Sequence, residues 1–455
     1  MSKRLPWWKE GYDFSQLPKM KTGSPGPESR RLHARAAGII KGLSSQVKLH
    51  PVCFKEGFGV VLTDVDGNRY IDFSSGIYVT TLGHCHPKIS EAVARAARTM
   101  MNCHDFTTPV KVELLEKMVR ILPEGINGIQ LYDSGATAVE AALRAARAYT
   151  GKHEFLGFMM DFHGKTGHAV SLAKMNSANG AGRAQGFYMV PKPYPYRPLF
   201  KRTDGSIDTD AYIDYYEYFL ANATTGQVAA FIAEPIQGWG GSVIPPDDFY
   251  SKLKKFCQKH DMLLIADEVL TGMGRTGKYL AMEHWDVTAD ISTLGKGFGN
   301  GFPVTAMVAD ERIKDAFEKI SASTSYGGNP MACAAALASI EVIEEECLLE
   351  NALRLEDYFI KRMEKMKREH KIIGDVRAKG CLLGIEMVRD QQSKEPFDEA
   401  GKMVYAKAFR KGLAWVPAGH ILRLSPSIIM DKEVAAKGMD IVEEAIYETE
   451  KELGY

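Results

Sequence analysis

The 455-residue chain predicts an α/β fold, a mostly parallel sheet held between helices, with a smaller α+β domain beside it. Three observations carry this. Short apolar runs of strand length, Phe155 to Met159, Val228 to Ala233 and Met262 to Ala266, are apolar throughout and so read as strands buried on both faces. They alternate with stretches of helical periodicity, Lys88 to Met101, Val110 to Leu122 and Ala136 to Tyr149, which supply the covering layers. A composition that is 45% hydrophobic and 25% charged is that of a globular chain long enough for two or three domains.

Taken in order, the first fifty residues carry Pro18, Gly23, Pro25 and Pro27 without steady periodicity and predict an irregular arm wrapping a neighbour. Gly59 to Phe73 gives two strand-like runs around Asp66-Gly67, a hairpin signal. Beyond the alternating middle, Ala334 to Glu345, Asn351 to Glu369 and Glu433 to Leu453 are helical, and Leu382 to Val388 is strand-like. The expected division is an N-terminal segment with part of the small domain (1–80), a large domain (81–335) and a C-terminal small domain (336–455).

The 57 basic and 57 acidic residues cancel, so no global field draws nucleic acid or an anionic bilayer. Seven cysteines without C-x-x-C spacing indicate neither a disulfide framework nor a zinc ribbon. No apolar run approaches the ~20 residues of a membrane span, and the N-terminus has no signal-peptide pattern. A cytoplasmic protein is expected. His84 and His86 have no third ligand at metal spacing, so no metal is expected.

The chemistry concentrates where apolar strands end. Asp267 closes the run Leu263 to Ala266, and Lys296 follows 29 residues later between Gly295 and Gly297. Open α/β sheets bind ligands at such ends. A lone strand-end Asp is also an ordinary cap, and a lone G-K-G an ordinary surface turn. Together they suit a pyridine cofactor bearing an aldehyde: the carboxylate keeps the ring nitrogen protonated, and the amine forms a Schiff base and then moves a proton. Ser134-Gly135-Ala136-Thr137 opens a helix whose amides and dipole can bind a phosphate dianion, although Ser-Gly alone is only a cap. Phe162-His163-Gly164-Lys165 offers an aromatic face on a loop at the sheet edge, with core packing as the plain alternative for Phe162.

With these motifs assembled, the chain from about Pro25 to Leu453 resembles the class III, or ω-, aminotransferases of pyridoxal phosphate fold type I. The matching pieces are Asp66-Gly67-Asn68, Gly83-His84-Cys85-His86-Pro87, Ser134 to Ala142, Phe162-His163-Gly164, Glu234-Pro235-Ile236-Gln237-Gly238, Asp267-Glu268-Val269, Gly272 to Gly277, Lys296 and Gly327-Gly328-Asn329-Pro330. The resemblance implies pyridoxal 5'-phosphate as cofactor, with Lys296 and Asp267 catalytic and Val269 packed on the ring face opposite Phe162. Gly135 and Ala136 would hold the phosphate, helped by Ser134 or Thr137, and His163 would line the pocket. Glu234 would stand behind the site or be purely structural. A family Thr that reaches the other subunit's phosphate corresponds to Ser325, with Thr324 beside it, which implies a homodimer or a dimer of dimers with the site at the interface.

Four departures bear on the reaction. Trp239 stands where relatives using 2-oxoglutarate carry a gate Glu, while the Arg that pairs with it is kept as Arg423, able to hold a carboxylate bidentately. Leu270 replaces a common Gln. Lys165 replaces the Arg of 4-aminobutyrate enzymes, and Ile77 replaces the Gln of 2,2-dialkylglycine decarboxylase. Tyr78 and Trp239 are candidates for a partly apolar substrate slot, with core filling as the alternative for Tyr78. The expected activity is a ping-pong aminotransferase moving an amino group from an ω-amino acid or amine to a keto acid, pyruvate favoured over 2-oxoglutarate. The alternative is an amino acid racemase or epimerase, or a dialkylglycine-type decarboxylase, on the same cofactor. Related epimerases place a carboxylate at the Trp239 position, which weakens that alternative without removing it.

Overall fold

Asp66-Gly67 turns a hairpin, as its residues dictate. The computed structural model describes residues 7–9, 14–174 and 182–455. Strands β1 (Phe54–Phe58), β2 (Val61–Asp64) and β3 (Arg69–Asp72) run antiparallel in sequence. Gly67 adopts φ +84°, the left-handed region that glycine enters without a steric penalty. The Asp64 carboxylate accepts the backbone N–H groups of Asp66 (3.0 Å) and Asn68 (2.8 Å) and fixes the loop.

The expectation of a wholly irregular N-terminal arm is corrected by helix α1 (Pro27–Ala37). Pro27 suits the first helical position, but the preceding Gly26 has no side chain to cap with. The cap comes instead from Asp66 in the hairpin turn, which accepts from the N–H groups of Glu28 (2.8 Å) and Ser29 (2.9 Å). A Cβ on Gly26 would lie 2.2 Å from Asp66 Cγ. The start signal is therefore remote in sequence.

The chain divides into two compact units, Lys88–Leu349 and Met1–Pro87 with Glu350–Tyr455. In the larger, β4 (Ile126–Tyr132), β5 (Glu154–Phe158), β6 (Phe187–Val190), β7 (Val228–Ala233), β8 (Leu263–Glu268), β9 (Ile291–Leu294) and β10 (Thr305–Asp310) form a seven-stranded sheet of order β4-β10-β9-β8-β7-β5-β6. Pairings among β9, β8, β7, β5 and β6 are parallel, and β10 is antiparallel to both its neighbours. Helix α2 (Gly135–Thr150) lays Ala138, Ala142, Ala145 and Ala146, all fully buried, into one core with Ala230, Ile232, Ile265 and Ile291 of the sheet. Side chains this small let the helix lie close to the strands. Helix α3 (Pro330–Glu345) is buried along its length, from Ala332 to Ile343, and belongs whole to this unit. A boundary at 335/336 would cut that continuous buried face, so the division falls after Leu349 instead.

The smaller unit is built from both chain ends. β11 (Ile373–Lys379), β12 (Leu382–Met387), β14 (Val416–Ala418) and β15 (Ile421–Leu424) form an antiparallel sheet of order β11-β12-β15-β14. The short β13 (Leu413–Ala414) pairs parallel with β3 and so joins the C-terminal part to the N-terminal hairpin. Among the described residues, no helix is long and apolar enough to cross a membrane, and no cluster of three or more His, Cys, Asp or Glu is placed to hold a metal.

Candidate active site

The register of β8 and β9 sets Asp267 opposite Thr293 and Glu268 opposite Leu294. Lys296 therefore follows at the same sheet edge, two residues past the last strand position. Its backbone takes φ +46°, an uncommon conformation for a residue with a Cβ and one found disproportionately at functional sites.

Asp267 is buried and accepts three hydrogen bonds: from Val269 N (3.2 Å) and Thr293 Oγ1 (2.8 Å) at Oδ1, and from His163 Nδ1 (2.7 Å) at Oδ2. On its other side the His163 ring has Nε2 3.5 Å from Asp161 Oδ2, an ion-pair separation rather than a formed hydrogen bond. Ionised carboxylates only accept, so both ring nitrogens face groups that call for a hydrogen. Burial alone would lower the His163 pKa, but Asp161 and Asp267 outweigh it and push it up to about 10. The ring is an imidazolium between two carboxylates.

Behind this triad, Asp161 accepts from Gln237 Nε2 (2.6 Å) and Glu234 N (3.0 Å). Glu234 in turn accepts Phe162 N (2.7 Å) at Oε1 and Gly238 N (3.0 Å) at Oε2. These bonds tie the loop after β5 to the loop after β7, and bring the rings of Phe162 and Trp239 to a centroid separation of 5.9 Å. Leu270 packs against this second loop: a Cβ on Gly238 would lie 2.2 Å from its Cδ1.

The start of α2 supplies a phosphate cradle. Ser134 Oγ accepts Thr137 N (3.3 Å) while Thr137 Oγ1 accepts Ser134 N (3.3 Å), a reciprocal cap. The first amides of a helix have no intrahelical acceptor, and the dipole of sixteen residues adds positive potential there. Three glycines let the surrounding loops close. A Cβ on Gly135 or on Gly295 would stand 3.1 Å from Val269 Cγ1, and one on Gly164, at φ +132°, would stand 2.8 Å from the Ala136 Cβ. Thr305 Oγ1 donates to the Ser134 carbonyl (3.0 Å) and fixes the cradle to β10.

Of the residues expected from sequence, Ser134, Gly135, Ala136, Thr137, Phe162, His163, Glu234, Trp239, Asp267, Val269 and Lys296 thus gather at one edge of the large sheet. Lys165 is exposed on the Phe162 loop. Thr324 Oγ1 accepts Gly327 N (2.8 Å), and the carbonyl of exposed Ser325 accepts Asn102 Nδ2 (3.0 Å). Ile77, Tyr78 and Arg423 belong to the smaller unit. Ile77 is 41% exposed on a turn where Ser75 to Tyr78 all have positive φ, Tyr78 is buried, and Arg423 is buried with Nη2 donating to the Pro417 carbonyl (3.3 Å). Sequence reasoning missed Asp161, Thr293, Thr305 and Lys192. Asp161 directly precedes Phe162 and, like Asp267, follows an apolar strand, which is the signal that could have found it.

The model of the family described as aminotransferase class III matches residues 43–446. The chain belongs to the class III aminotransferases. An alanine/serine racemase of Pyrococcus horikoshii is 34% identical over 449 residues, covering 95% of this chain and 94% of that protein. A probable 4-aminobutyrate aminotransferase of Bacillus subtilis is 33% identical over 414 residues, covering 89% and 94%. Among solved structures, a transaminase from the marine bacterium Virgibacillus superposes with a TM-score of 0.85 at 29% identity, covering 93% of this chain and all of that one. A PLP-bound amine transaminase from an uncultivated Pseudomonas species gives 0.83 at 28%, covering 90% and 98%. The protein is a class III aminotransferase enzyme of the fold type I architecture, and its cofactor is pyridoxal 5'-phosphate.

Proposed function

We propose that this class III aminotransferase is a ping-pong transaminase that moves an amino group from an ω-amino acid or medium-sized amine to a keto acid, with pyruvate favoured over 2-oxoglutarate. The observation that carries the reading is the Asp267 carboxylate, buried at the edge of β8 beside the helix cradle. A carboxylate has about four acceptor sites, and Asp267 receives three donors, which leaves room for one more, the protonated ring nitrogen.

When bound, the cofactor supplies an aldehyde carbon for the amine and a ring that takes up the substrate carbon's electrons. Lys296 Nζ takes the proton from the substrate carbon that bears the nitrogen. Asp267 holds the proton of the ring nitrogen, and His163 keeps Asp267 oriented. Gly135 and Ala136 hold the phosphate with Ser134 or Thr137, while Phe162 and Val269 bracket the ring. Thr324 and Ser325 serve the phosphate of a partner subunit in a homodimer or dimer of dimers. Arg423 takes the acceptor's carboxylate, and Trp239, in place of a gate Glu, favours the small acceptor. Lys165, Ile77 and Tyr78 shape the donor's slot. Seven cysteines without C-x-x-C spacing suit a reducing compartment such as the cytoplasm.

Lys296→Ala should abolish turnover with every donor, and undiminished turnover would overturn the assignment. Pyruvate should exceed 2-oxoglutarate in kcat/KM by about tenfold or more, on the order of one well-placed contact; the reverse order would overturn the acceptor. Amino acid racemisation is a second reading, favoured by the 34% and 35% identity to two racemases, of Pyrococcus horikoshii and Thermococcus litoralis.

A further inference from the structure

Ser75, Gly76, Ile77 and Tyr78 are consecutive residues at positive φ, +45°, +56°, +65° and +66°, the longest such run among the described residues. Glycine enters this region freely, but the Cβ of Ser75, Ile77 and Tyr78 crowds the following carbonyl there, and for a β-branched residue such as Ile77 the conformation is a genuine outlier. A chain that needed only the bend would gain by glycine at 77. Ile77 stands there instead, with its side chain exposed. Such strain persists only where the surroundings over-determine the backbone, and it clusters at functional sites.

Two sets of hydrogen bonds hold the turn. On one side, Asp72 at the end of β3 is buried, and its Oδ1 accepts from Ser74 N (2.7 Å), Ser74 Oγ (2.6 Å) and Ser75 N (3.2 Å). Its Oδ2 accepts from His84 Nε2 (2.7 Å). Burial alone would raise the Asp72 carboxyl, but His84 and Ser74 outweigh it and hold it low, so an ionised acceptor meets these donors. His84 is itself pinned: its N–H and carbonyl pair with Gly59 (2.7 and 2.9 Å), and a Cβ on Gly57 of β1 would stand 2.8 Å from its Cγ. On the other side, Ser75 Oγ donates to the Ser425 carbonyl (2.6 Å), while Ser425 N and Oγ donate to the carbonyls of Phe73 (2.7 Å) and Ser74 (2.9 Å). Ser425 directly follows β15, the strand that carries Arg423.

We propose that Asp72 and His84 are positioning residues, a carboxylate–imidazole latch that holds the left-handed turn so that Ile77 and Tyr78 set the shape of the donor's slot. This rests on the assignment of Ile77 and Tyr78 to that slot. The action runs from the His84 ring to the Asp72 carboxylate, from there to the amides of Ser74 and Ser75, and from those to the two side chains. The first His of Gly83-His84-Cys85-His86-Pro87 thereby acquires a role. The latch takes no part in the bond changes.

The test reads three quantities on the full-length enzyme. Hydrogen exchange at the amides of Tyr78, Val79 and Thr80, which bond the Ser74 and Ser75 carbonyls and close the turn, should be about tenfold or more faster in His84→Ala and Asp72→Asn, one lost charge-assisted bond. With pyruvate as acceptor, the ratio of kcat/KM for benzylamine to that for 4-aminobutyrate should shift by about tenfold in Ile77→Ala, as a lost apolar contact does, and by a similar factor in both latch variants. The His84→Ala/Ile77→Ala double variant should lie within about twofold of Ile77→Ala alone. The dissociation constant of pyridoxamine 5'-phosphate should stay within about twofold of wild type throughout, because the cradle belongs to the larger unit. His84→Gln, which keeps a donor for Asp72, should fall between wild type and His84→Ala, and it decides if the other latch variants do not fold. Unchanged exchange, a ratio that moves in Ile77→Ala but not in the latch variants, or a cofactor affinity that falls as far as the ratio shifts would overturn the proposal. An unchanged ratio in Ile77→Ala, or turnover of neither amine, would instead overturn the donor-slot reading on which it rests, with exchange still deciding the latch.

Discussion

His163→Gln separates the electrostatics of the site from its shape. The substitution keeps a polar side chain but removes the cation between Asp267, at 2.7 Å, and Asp161, at 3.5 Å. The two carboxylates raise His163 from its ordinary 6.5 to about 10. At about 1.4 kcal/mol per pH unit this corresponds to roughly 5 kcal/mol, the upper end of the ~3–5 kcal/mol for removing one partner of a buried pair. A group whose pKa is raised by folding stabilises most below its unfolded value, and that contribution is lost as pH rises through the folded value. Urea denaturation of the cofactor-free protein should therefore show His163→Gln destabilised by about 3–5 kcal/mol at pH 6. The gap to wild type should shrink steadily above pH 6.5 and be nearly closed at pH 10. A gap below about 1 kcal/mol at pH 6, or one that does not change with pH, would refute the imidazolium assignment.

Two further substitutions probe the parts that His163 serves. Asp267→Asn should lower kcat/KM by at least about 10–150-fold, since the lost ring-nitrogen contact is a charge-assisted hydrogen bond of ~1.5–3 kcal/mol; activity within threefold of wild type, about 0.6 kcal/mol, would contradict the role. Gly164→Ala puts a methyl 2.8 Å from the Ala136 Cβ at a φ of +132°, so pyridoxamine 5'-phosphate should bind about tenfold or more weakly. Calorimetry showing unchanged affinity would remove the cradle from the phosphate site.

Much of this was legible from residues that signal locally. The apolar runs before Asp267 and Phe162 mark buried strands, and a carboxylate at one such end, followed 29 residues later by a lysine between glycines, points to one sheet edge. The Ser134-Gly135 start of α2 is visible because its cap is written in adjacent residues. Helix α1 was hidden because its cap, Asp66, sits in a turn 38 residues from Glu28. Asp161, Thr293 and Lys192 were hidden for a related reason. Their meaning lies in strand register and in loops brought together by folding: Thr293 matters because it pairs with Asp267 across β8 and β9, and Lys192 because β6 ends within reach of the Glu234 carbonyl. An isolated Lys after Val-Pro carries no such information.

The central claim is transamination, and it turns on whether the reaction needs an acceptor. The enzyme loaded with pyridoxal 5'-phosphate should be given ω-amino acids, amines and single-enantiomer α-amino acids, each with and without pyruvate or 2-oxoglutarate, with products identified by mass and chirality. Catalytic conversion only when a keto acid is present, with alanine formed from pyruvate, is the predicted result. Loss of optical purity or release of carbon dioxide over many turnovers without any keto acid would contradict it and make the protein a racemase or decarboxylase on the same scaffold.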